Sequence, residues 1–156
     1  MDLNLKGRVV LVTGANRGIG RAIAEAAADE GAMAVVVGRD EAACRDTVNT
    51  LGEHRASYCL CDVTDRGQID RMIDEVARRH GRLDAVVNNA GRFGGSPLAE
   101  LSAEALSEGL DTKVAGALAV VQAALPHLRR SDQARVVNIS GVTRWAVIPE
   151  MFRTLA

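Results

Sequence analysis

Short apolar runs recur along the chain and alternate with longer amphipathic segments. Most of the runs are rich in valine and are bounded by glycine or polar residues, which is typical of strands buried in a parallel sheet. The runs occupy residues 9–12, 33–38, 57–61, 83–87 and 135–140. Between them, apolar residues recur at spacings of three and four, which indicates helices with one buried face.

Residues that cap helices support this division of the chain. Asp40 and Ser102 each precede a helical pattern, and the helix after Ser102 is predicted to run to about Leu128. Either Thr64 or Asp65 begins the helix that lies between the third and fourth strands.

Strictly alternating strands and helices predict an α/β fold with right-handed crossovers. We therefore predict a Rossmann-like, doubly wound parallel sheet in a three-layer α/β/α arrangement, with about five strands in the order 3-2-1-4-5. In such sheets, ligands bind beyond the carboxyl ends of the strands, where the strand order reverses.

A glycine-rich turn (residues 13–20, the glycine turn) follows the first strand and leads directly into a helix. Its glycines, Gly14, Gly18 and Gly20, are spaced Gly-x-x-x-Gly-x-Gly. A helix N-terminus carries unpaired N–H groups and a partial positive charge, so it can hold a pyrophosphate. The alternative is a glycine-rich connection without a ligand.

The end of the second strand bears on the choice of nucleotide. An acid there would bond a ribose 2′-hydroxyl and select NAD, but this strand ends in Gly38 and Arg39. A guanidinium suits a 2′-phosphate, and Arg17 in the glycine turn could reach the same group. We predict NADP(H) over NAD(H); the alternative is that both arginines are solvated surface charges.

Composition narrows the class of protein further. A chain of 156 residues with 47% hydrophobic residues predicts one domain. A net charge of −1 and 3% aromatic residues argue against nucleic-acid partners. No apolar run approaches a membrane span, the N-terminus lacks a signal-peptide pattern, and three cysteines without metal or redox spacing favour the cytoplasm. The scattered histidines predict no metal site.

Two motifs at matching separation resemble the short-chain dehydrogenase/reductase family. They are the glycine turn and the Asn-Asn-Ala-Gly run at residues 88–91, and Asp62-Val63 matches the pair that meets adenine in the family. The resemblance implies hydride transfer between C4 of a bound nicotinamide and a carbonyl or alcohol carbon. The cofactor-binding residues that it implies, together with Arg39, are Thr13, Gly14, Asn16, Arg17, Gly18, Ile19, Gly20, Arg39, Asp62, Val63, Asn89, Ala90 and Gly91.

The family's catalytic residues carry over only in part. Lys113 occupies the place of the family's asparagine, and Gly141 that of its serine, unless a one-residue shift makes Ser140 the hydroxyl. Thr154 stands in the tyrosine's place, and the chain contains no Tyr-x-x-x-Lys. The candidate catalytic residues are thus Ser140 and Lys113; the alternative for Ser140 is a strand-end hydroxyl that bonds to nearby backbone.

The resemblance also bears on the extent of the domain. We expect residues 1–156 to form a single dinucleotide-binding domain that lacks the family's last strands. The long helix (residues 102–128) is apolar on more than one side, which predicts a homo-oligomer through this helix. Either the chain is a fragment or another molecule covers this surface.

Two functions remain open at this point. The first is an NADP(H)-dependent oxidoreductase that acts on a small-molecule carbonyl or secondary alcohol. The second is a catalytically degenerate dinucleotide-binding protein, such as a sensor or a subunit.

Overall fold

Five parallel strands form the centre of the molecule, and the computed structural model describes residues 3–91 and 100–140. The strands are β1 (Val9–Thr13), β2 (Met33–Gly38), β3 (Ala56–Leu60), β4 (Ala85–Asn88) and β5 (Arg135–Asn138). The helices are α1 (Gly18–Asp29), α2 (Glu41–Leu51), α3 (Arg66–His80), α4 (Ala103–Leu110) and α5 (Ala117–Leu128), with a π-helical segment (Asp111–Gly116, the π segment) joining α4 to α5.

The strand order is β3-β2-β1-β4-β5, and every neighbouring pair is parallel. This confirms the predicted order. The chain runs outward from β1 to β3 and then crosses back to the other side of β1, so the order reverses between β1 and β4. A crevice forms at such a reversal because the connections on its two sides diverge.

Helices cover both faces of the sheet and bury β1, β2 and β4 almost completely, whereas β5 is exposed. On one face, Val10 and Val12 of β1 share a core with α1 and α2. On the other face, Leu11 shares a core with α3 and α5, including Ile69 and Val120. Because β1 is covered on both sides, all five of its residues are buried. The three cysteines are also buried and form no disulfide, so they act as small residues of the core.

Capping side chains begin three of the helices at the predicted positions. Asp40 accepts a hydrogen bond from the N–H of Ala43, and Ser102 accepts one from Ala105. Asp65, not Thr64, caps α3 by accepting from Gln68. These bonds satisfy N–H groups that the first helical turn leaves unpaired.

Several predicted boundaries need correction. Helix α1 begins at Gly18, so two of the turn's glycines lie in its first turn. Strand β3 begins and ends one residue earlier than predicted, β4 begins two residues later, at Ala85, and β5 ends at Asn138. The long helix is not uniform, since the π segment interrupts it.

Strand β5 is the edge of the described sheet. Val136 and Val137 are 43% and 45% exposed, and Leu118 on the neighbouring α5 is 57% exposed. The exposure on α5 matches the apolar surface expected on the long helix. Within the described residues, no helix combines the length and apolarity needed to cross a membrane.

Candidate dinucleotide-binding site

A cleft of about 650 Å³ lies beyond the carboxyl ends of the first four strands. Nine of the sequence-predicted cofactor residues line it together: Gly14, Asn16, Arg17, Arg39, Asp62, Val63, Asn89, Ala90 and Gly91. Its volume lies within the range of small-molecule and cofactor sites. Residues that are far apart in the sequence therefore converge at the point where the strand order reverses.

The remaining predicted cofactor residues lie around the glycine turn, outside the cleft's lining. Thr13 is buried at the end of β1, whereas Ile19 on α1 is 57% exposed. Gly18 has a φ of +55°, and a Cβ placed on it would meet no atom within 4 Å. Gly18 thus leaves open space at the N-terminus of α1.

Gly20 has a different role, because it allows close packing inside the protein. A Cβ on Gly20 would lie 2.4 Å from the carbonyl oxygen of Gly14 and 2.4 Å from Nδ2 of Asn89. The spacing of the glycines in the sequence does not distinguish approach of a ligand from packing inside the protein. For Gly20, the close neighbours are protein atoms.

A hydrogen-bonded cluster ties the glycine turn to the end of β4. The Oγ1 of Thr13 accepts from the N–H groups of Asn89 and Ala90, both at 3.0 Å. In return, Nδ2 of Asn89 donates to the carbonyl oxygens of Thr13 (3.0 Å) and Gly14 (3.1 Å). The two family motifs therefore hold each other in place, and Thr13 and Asn89 position the turn.

The N-terminus of α1 differs from those of the other helices that flank the cleft. Arg17 occupies the N-cap position, and its side chain accepts no hydrogen bond from the first turn. By contrast, Asp40 and Asp65 cap α2 and α3. The N–H groups of the first turn of α1 are therefore left available for an anion.

Arg39 is engaged in the cleft rather than free. Its Nη1 lies 3.0 Å from Oδ2 of Asp62, and the guanidinium side chain is 71% exposed. Oδ1 of Asp62 accepts from the N–H and the hydroxyl of Thr64. The backbone bond from Thr64, together with Arg39, lowers the pKa of Asp62.

The number of carboxylates that line the cleft was not predicted from the sequence. Two arginines line it, but so do four carboxylates, and they come from several connections and helix ends. The charged lining residues are Arg17, Arg39, Asp40, Asp62, Glu108 and Asp111. Asp40 and Asp62 lie among the lining residues that follow β2 and β3, so the basic character of this end is partly offset.

Lys113 lies on the π segment and reaches across to β5. Its Nζ donates to the carbonyl oxygen of Ile139 at 3.0 Å. The side chain passes so close to Gly91 that a Cβ there would lie 2.5 Å from Cε of Lys113. The side chain is half-buried, and this burial lowers the pKa of Lys113.

Ser140 is exposed and lies two residues beyond the end of β5. It lines neither the cleft nor a small cavity that lies between the π segment and the ends of β4 and β5. Gly141 and Thr154, at the family's serine and tyrosine positions, lie outside the described residues. The described residues therefore bring nine of the candidate cofactor residues together in one cleft and, of the catalytic candidates, bring Lys113 close to it at Gly91.

The contact between two asparagines beneath the cleft was also not predicted from the sequence. Asn88 and Asn138 are register partners at the ends of β4 and β5, and Nδ2 of Asn88 donates to Oδ1 of Asn138 at 2.9 Å. A repeated Val-Val-Asn sequence at 86–88 and 136–138 was the available signal. It becomes informative only when the two strands are known to be neighbours in register.

Comparison with known proteins agrees with this geometry. A family model described as short chain dehydrogenase matches residues 8–150. The chain is 41% identical to an L-fucose dehydrogenase of Oryctolagus cuniculus over 135 residues, which cover 86% of this chain and 46% of that protein. An L-fucose dehydrogenase of Bos taurus is 38% identical over 144 residues, which cover 91% and 52%.

Solved structures show the same similarity. NAD+-bound xylitol dehydrogenase superposes with a TM-score of 0.89 at 28% identity, over 96% of this chain and 59% of that one. A short-chain dehydrogenase from Streptomyces avermitilis gives 0.86 at 35% identity, over 94% and 54%. The chain spans about half the length of these curated relatives.

Proposed function

The chain belongs to the short-chain dehydrogenase/reductase family, and on that premise we propose that it is the dinucleotide-binding part of an NADP(H)-dependent oxidoreductase. The proposed reaction is hydride transfer between C4 of nicotinamide and the carbon of a carbonyl or secondary alcohol. The observation that supports it most is the single cleft around which the glycine turn, Asp62 and residues 89–91 converge.

The protein's own groups fit a dinucleotide. The uncapped first turn of α1 and the open space at Gly18 suit a pyrophosphate, because they leave N–H groups accessible at the positive end of a helix. Asp62 and Val63 line the part of the cleft where the family binds adenine. Residues 89–91 line the cleft next to the glycine turn and lead toward Lys113.

The preference for NADP(H) rests on Arg17 and Arg39. Both line the cleft, and a guanidinium offers several donors in a geometry that matches a phosphate. Arg39 would have to exchange its contact with Asp62 for the 2′-phosphate. That exchange reduces the gain from phosphate binding, so we expect a moderate preference.

A bound nicotinamide cofactor supplies or accepts the hydride, and the residues of this chain orient the reactants. In this proposal, the hydroxyl of Ser140 bonds the substrate oxygen. Lys113 places a cation near the same end of the cleft, and a charged lysine donates hydrogen bonds but accepts none. Lys113 therefore changes the hydrogen bonding that an asparagine would provide there.

That substitution favours a second candidate function. A dinucleotide-binding protein without dehydrogenase activity, acting as a sensor or subunit, would keep the cleft and tolerate Lys113. The two candidates share the nucleotide site and differ only in turnover.

The names of the relatives suggest where to look for a substrate. L-fucose dehydrogenases and a xylitol dehydrogenase act, by their names, on a sugar and a polyol. We propose a small hydroxylated or carbonyl compound of this kind as the partner, a cytoplasmic location, and a homo-oligomer formed through residues 102–128.

Binding and turnover measured separately test the proposal. Titration with NADPH, NADH and 2′,5′-ADP should show tighter binding of NADPH than of NADH. Turnover with a panel that includes L-fucose and xylitol would support the oxidoreductase, and binding without turnover would favour the second candidate. Absence of binding by any of these nucleotides would contradict both.

A further inference from the structure

A small cavity of about 30 Å³ lies between the π segment and the ends of β4 and β5. Asn88, Lys113, Asn138 and Thr13 contribute polar side chains to its lining, and Ile139 adds further surface. The volume suffices for one water molecule, which needs two to four polar partners to reside in a protein interior. The cavity adjoins the cleft, with which it shares Val63, Ala90 and Thr112, but no arginine or carboxylate of the described residues lines it.

Asn88 has an unsatisfied acceptor at this place. Asn88 is only 7% exposed, and its Oδ1 is buried with no hydrogen-bond donor among the described residues. The surroundings favour this amide orientation, because Nδ2 donates to Oδ1 of Asn138 (2.9 Å) and faces the carbonyl oxygen of Ala117 (3.4 Å). Rotation of the amide would turn Oδ1 toward the Ala117 carbonyl oxygen, which is also an acceptor.

Lys113 brings unused donors to the same cavity. Its ammonium group has three N–H donors, and one of them bonds to the carbonyl oxygen of Ile139. No carboxylate pairs with Lys113 in residues 3–91 and 100–140. Asn88 and Lys113 therefore line the same cavity. Oδ1 of Asn88 is a buried acceptor that lacks a donor, and Nζ of Lys113 has donors that are not used.

We propose that this cavity is a water-binding site in which one water donates to Oδ1 of Asn88 and accepts from Nζ of Lys113. The ligand chemistry excludes other small occupants. An anion would face the Asn88 oxygen, and a metal cation would face the Lys113 ammonium. Water satisfies both groups, since it donates to one and accepts from the other.

The bridge makes Lys113 a positioning residue for the end of β5. Through the water it joins the π segment to β4, and through the carbonyl oxygen of Ile139 it holds the peptide that precedes Ser140. The inference does not depend on the proposed function, because it concerns contacts that form without a cofactor.

A crystal structure of the chain at a resolution that shows ordered water tests the site directly. We expect one water within hydrogen-bond distance of both Asn88 Oδ1 and Lys113 Nζ. A dry cavity, or a protein group from residues 92–99 or 141–156 that donates to Asn88 Oδ1, would overturn the proposal. So would a direct bond between Asn88 and Lys113.

A double-mutant cycle tests the coupling in solution. Lys113→Met and Asn88→Ser should each lower the midpoint of thermal unfolding, and the double variant should lose less than the sum of the two losses. The control cycle pairs Lys113→Met with Thr50→Ala on α2, and we expect these two losses to add. If the losses of Lys113→Met and Asn88→Ser also add fully, the water bridge is refuted. If a variant fails to fold, the crystal structure of the unaltered chain still decides.

Discussion

At the scale of single residues, Arg39 is the residue through which the structure most changes the interpretation of the sequence. From the sequence, Arg39 either binds a 2′-phosphate or is a solvated surface charge. In the structure, the guanidinium lies in the cleft and pairs with Asp62 at 3.0 Å, so it is available at the site but already engaged. The choice of cofactor therefore depends on the competition between Asp62 and a 2′-phosphate.

Replacement of Arg39 tests this competition. We expect Arg39→Ala to weaken NADPH binding about tenfold, because a charge-assisted hydrogen bond to the phosphate is lost. NADH binding should change little, and fluorescence or calorimetric titration measures both. Arg45→Ala is the matched control, since Arg45 is an exposed arginine on α2 that pairs with Glu41 and does not line the cleft.

The reciprocal change is Asp62→Asn, which removes the carboxylate that holds Arg39. The ratio of NADPH to NADH affinity should rise, because the guanidinium no longer exchanges one anion for another. An unchanged ratio in both Arg39→Ala and Asp62→Asn would show that Arg39 does not contact the 2′-phosphate.

Asp84 makes a second residue-scale prediction, one that concerns stability. Its side chain is 3% exposed. It accepts hydrogen bonds from Arg82 (2.6 Å), Ser131 (2.6 Å) and the N–H of Val9 (2.9 Å). Burial by itself would raise the pKa of Asp84, but these bonds together lower it to about 2. Because the folded pKa is lower than the unfolded one, the contribution to stability is complete above about pH 4 and is lost as the pH falls toward 2.

Asp84→Asn should therefore lower the free energy of unfolding at pH 7 by about 2 kcal/mol. It should also flatten the decline in stability between about pH 4 and pH 2. Urea unfolding at several pH values measures both effects. Asp132→Asn is the control, because Asp132 contacts Arg8 in the same group but is 70% exposed, so we expect a much smaller loss. Equal losses for the two variants would contradict the importance of burial.

At the scale of elements, the glycine turn and α1 form one unit with the end of β4. The turn has its shape because Gly20 packs against Gly14 and Asn89, and Thr13 and Asn89 bond across to each other's backbone. The glycine that leaves open space toward a ligand is Gly18. Sequence spacing identifies such a turn but does not distinguish the glycine needed for packing from the one needed for access.

Gly20→Ala tests this division of roles. A Cβ at 2.4 Å from two backbone or amide atoms forces the turn to move, so we expect a loss of about 1–3 kcal/mol in the free energy of unfolding. Nucleotide affinity should fall as well, since the N-terminus of α1 moves with the turn. Chemical denaturation and NADPH titration provide the two measurements.

Gly109→Ala is the matched control on α4. A Cβ there would meet no atom within 4 Å, and alanine favours a helix over glycine by up to about 1 kcal/mol. This variant should be as stable as the parent or more so. A Gly20→Ala variant that is equally stable and binds equally well would contradict the packing role of Gly20.

The π segment is the other element that the sequence did not reveal. Its residues continue the helical pattern of α4 and α5, so the sequence predicts one uninterrupted helix. In the structure, Gly116 lies close to the loop that follows β3. A Cβ on Gly116 would be 2.5 Å from the carbonyl oxygen of Val63 in that loop. Such an approach depends on packing between distant parts of the chain. π-helical turns inside helices occur often at functional sites, and this one carries Lys113.

At the scale of the whole molecule, the uncovered apolar surface on α5 and β5 is the main feature still to be explained. It includes Leu118 and Leu125 of α5, extends to Val114 on the π segment, and lies beside the half-exposed valines of β5. Exposed apolar surface of this kind marks contacts with other protein surface. The proposed homo-oligomer through residues 102–128 would cover the helical part.

Leu118→Glu tests the oligomer. A charge at a position 57% exposed on α5 should shift the assembly toward monomer while leaving the unfolding midpoint of the monomer nearly unchanged. Sedimentation velocity over a range of concentrations measures the shift. Leu60→Glu, at a 46% exposed position on the opposite edge strand, should leave the assembly intact. A monomeric parent chain would contradict the proposed oligomer outright.

The fold was largely predictable because its determinants are local. Hydrophobic runs, caps at Asp40 and Ser102, and the strict alternation of strand and helix each act over a few residues, and together they allow few topologies. The convergence of the candidate cofactor residues on one cleft was predictable for a related reason. Its residues all follow strands, and parallel strands bring their carboxyl ends to one edge.

What the sequence determined by itself was thus which segments form strands and helices, and which residues stand at the strand ends. Only the tertiary structure decided which of those residues meet. Arg39 and Asp62 are 23 positions apart, Lys113 and Ile139 are 26, and Asn88 and Asn138 are 50. These contacts follow from strand order, register and the π segment, which depend on the packing of the whole chain, so no local pattern specifies them.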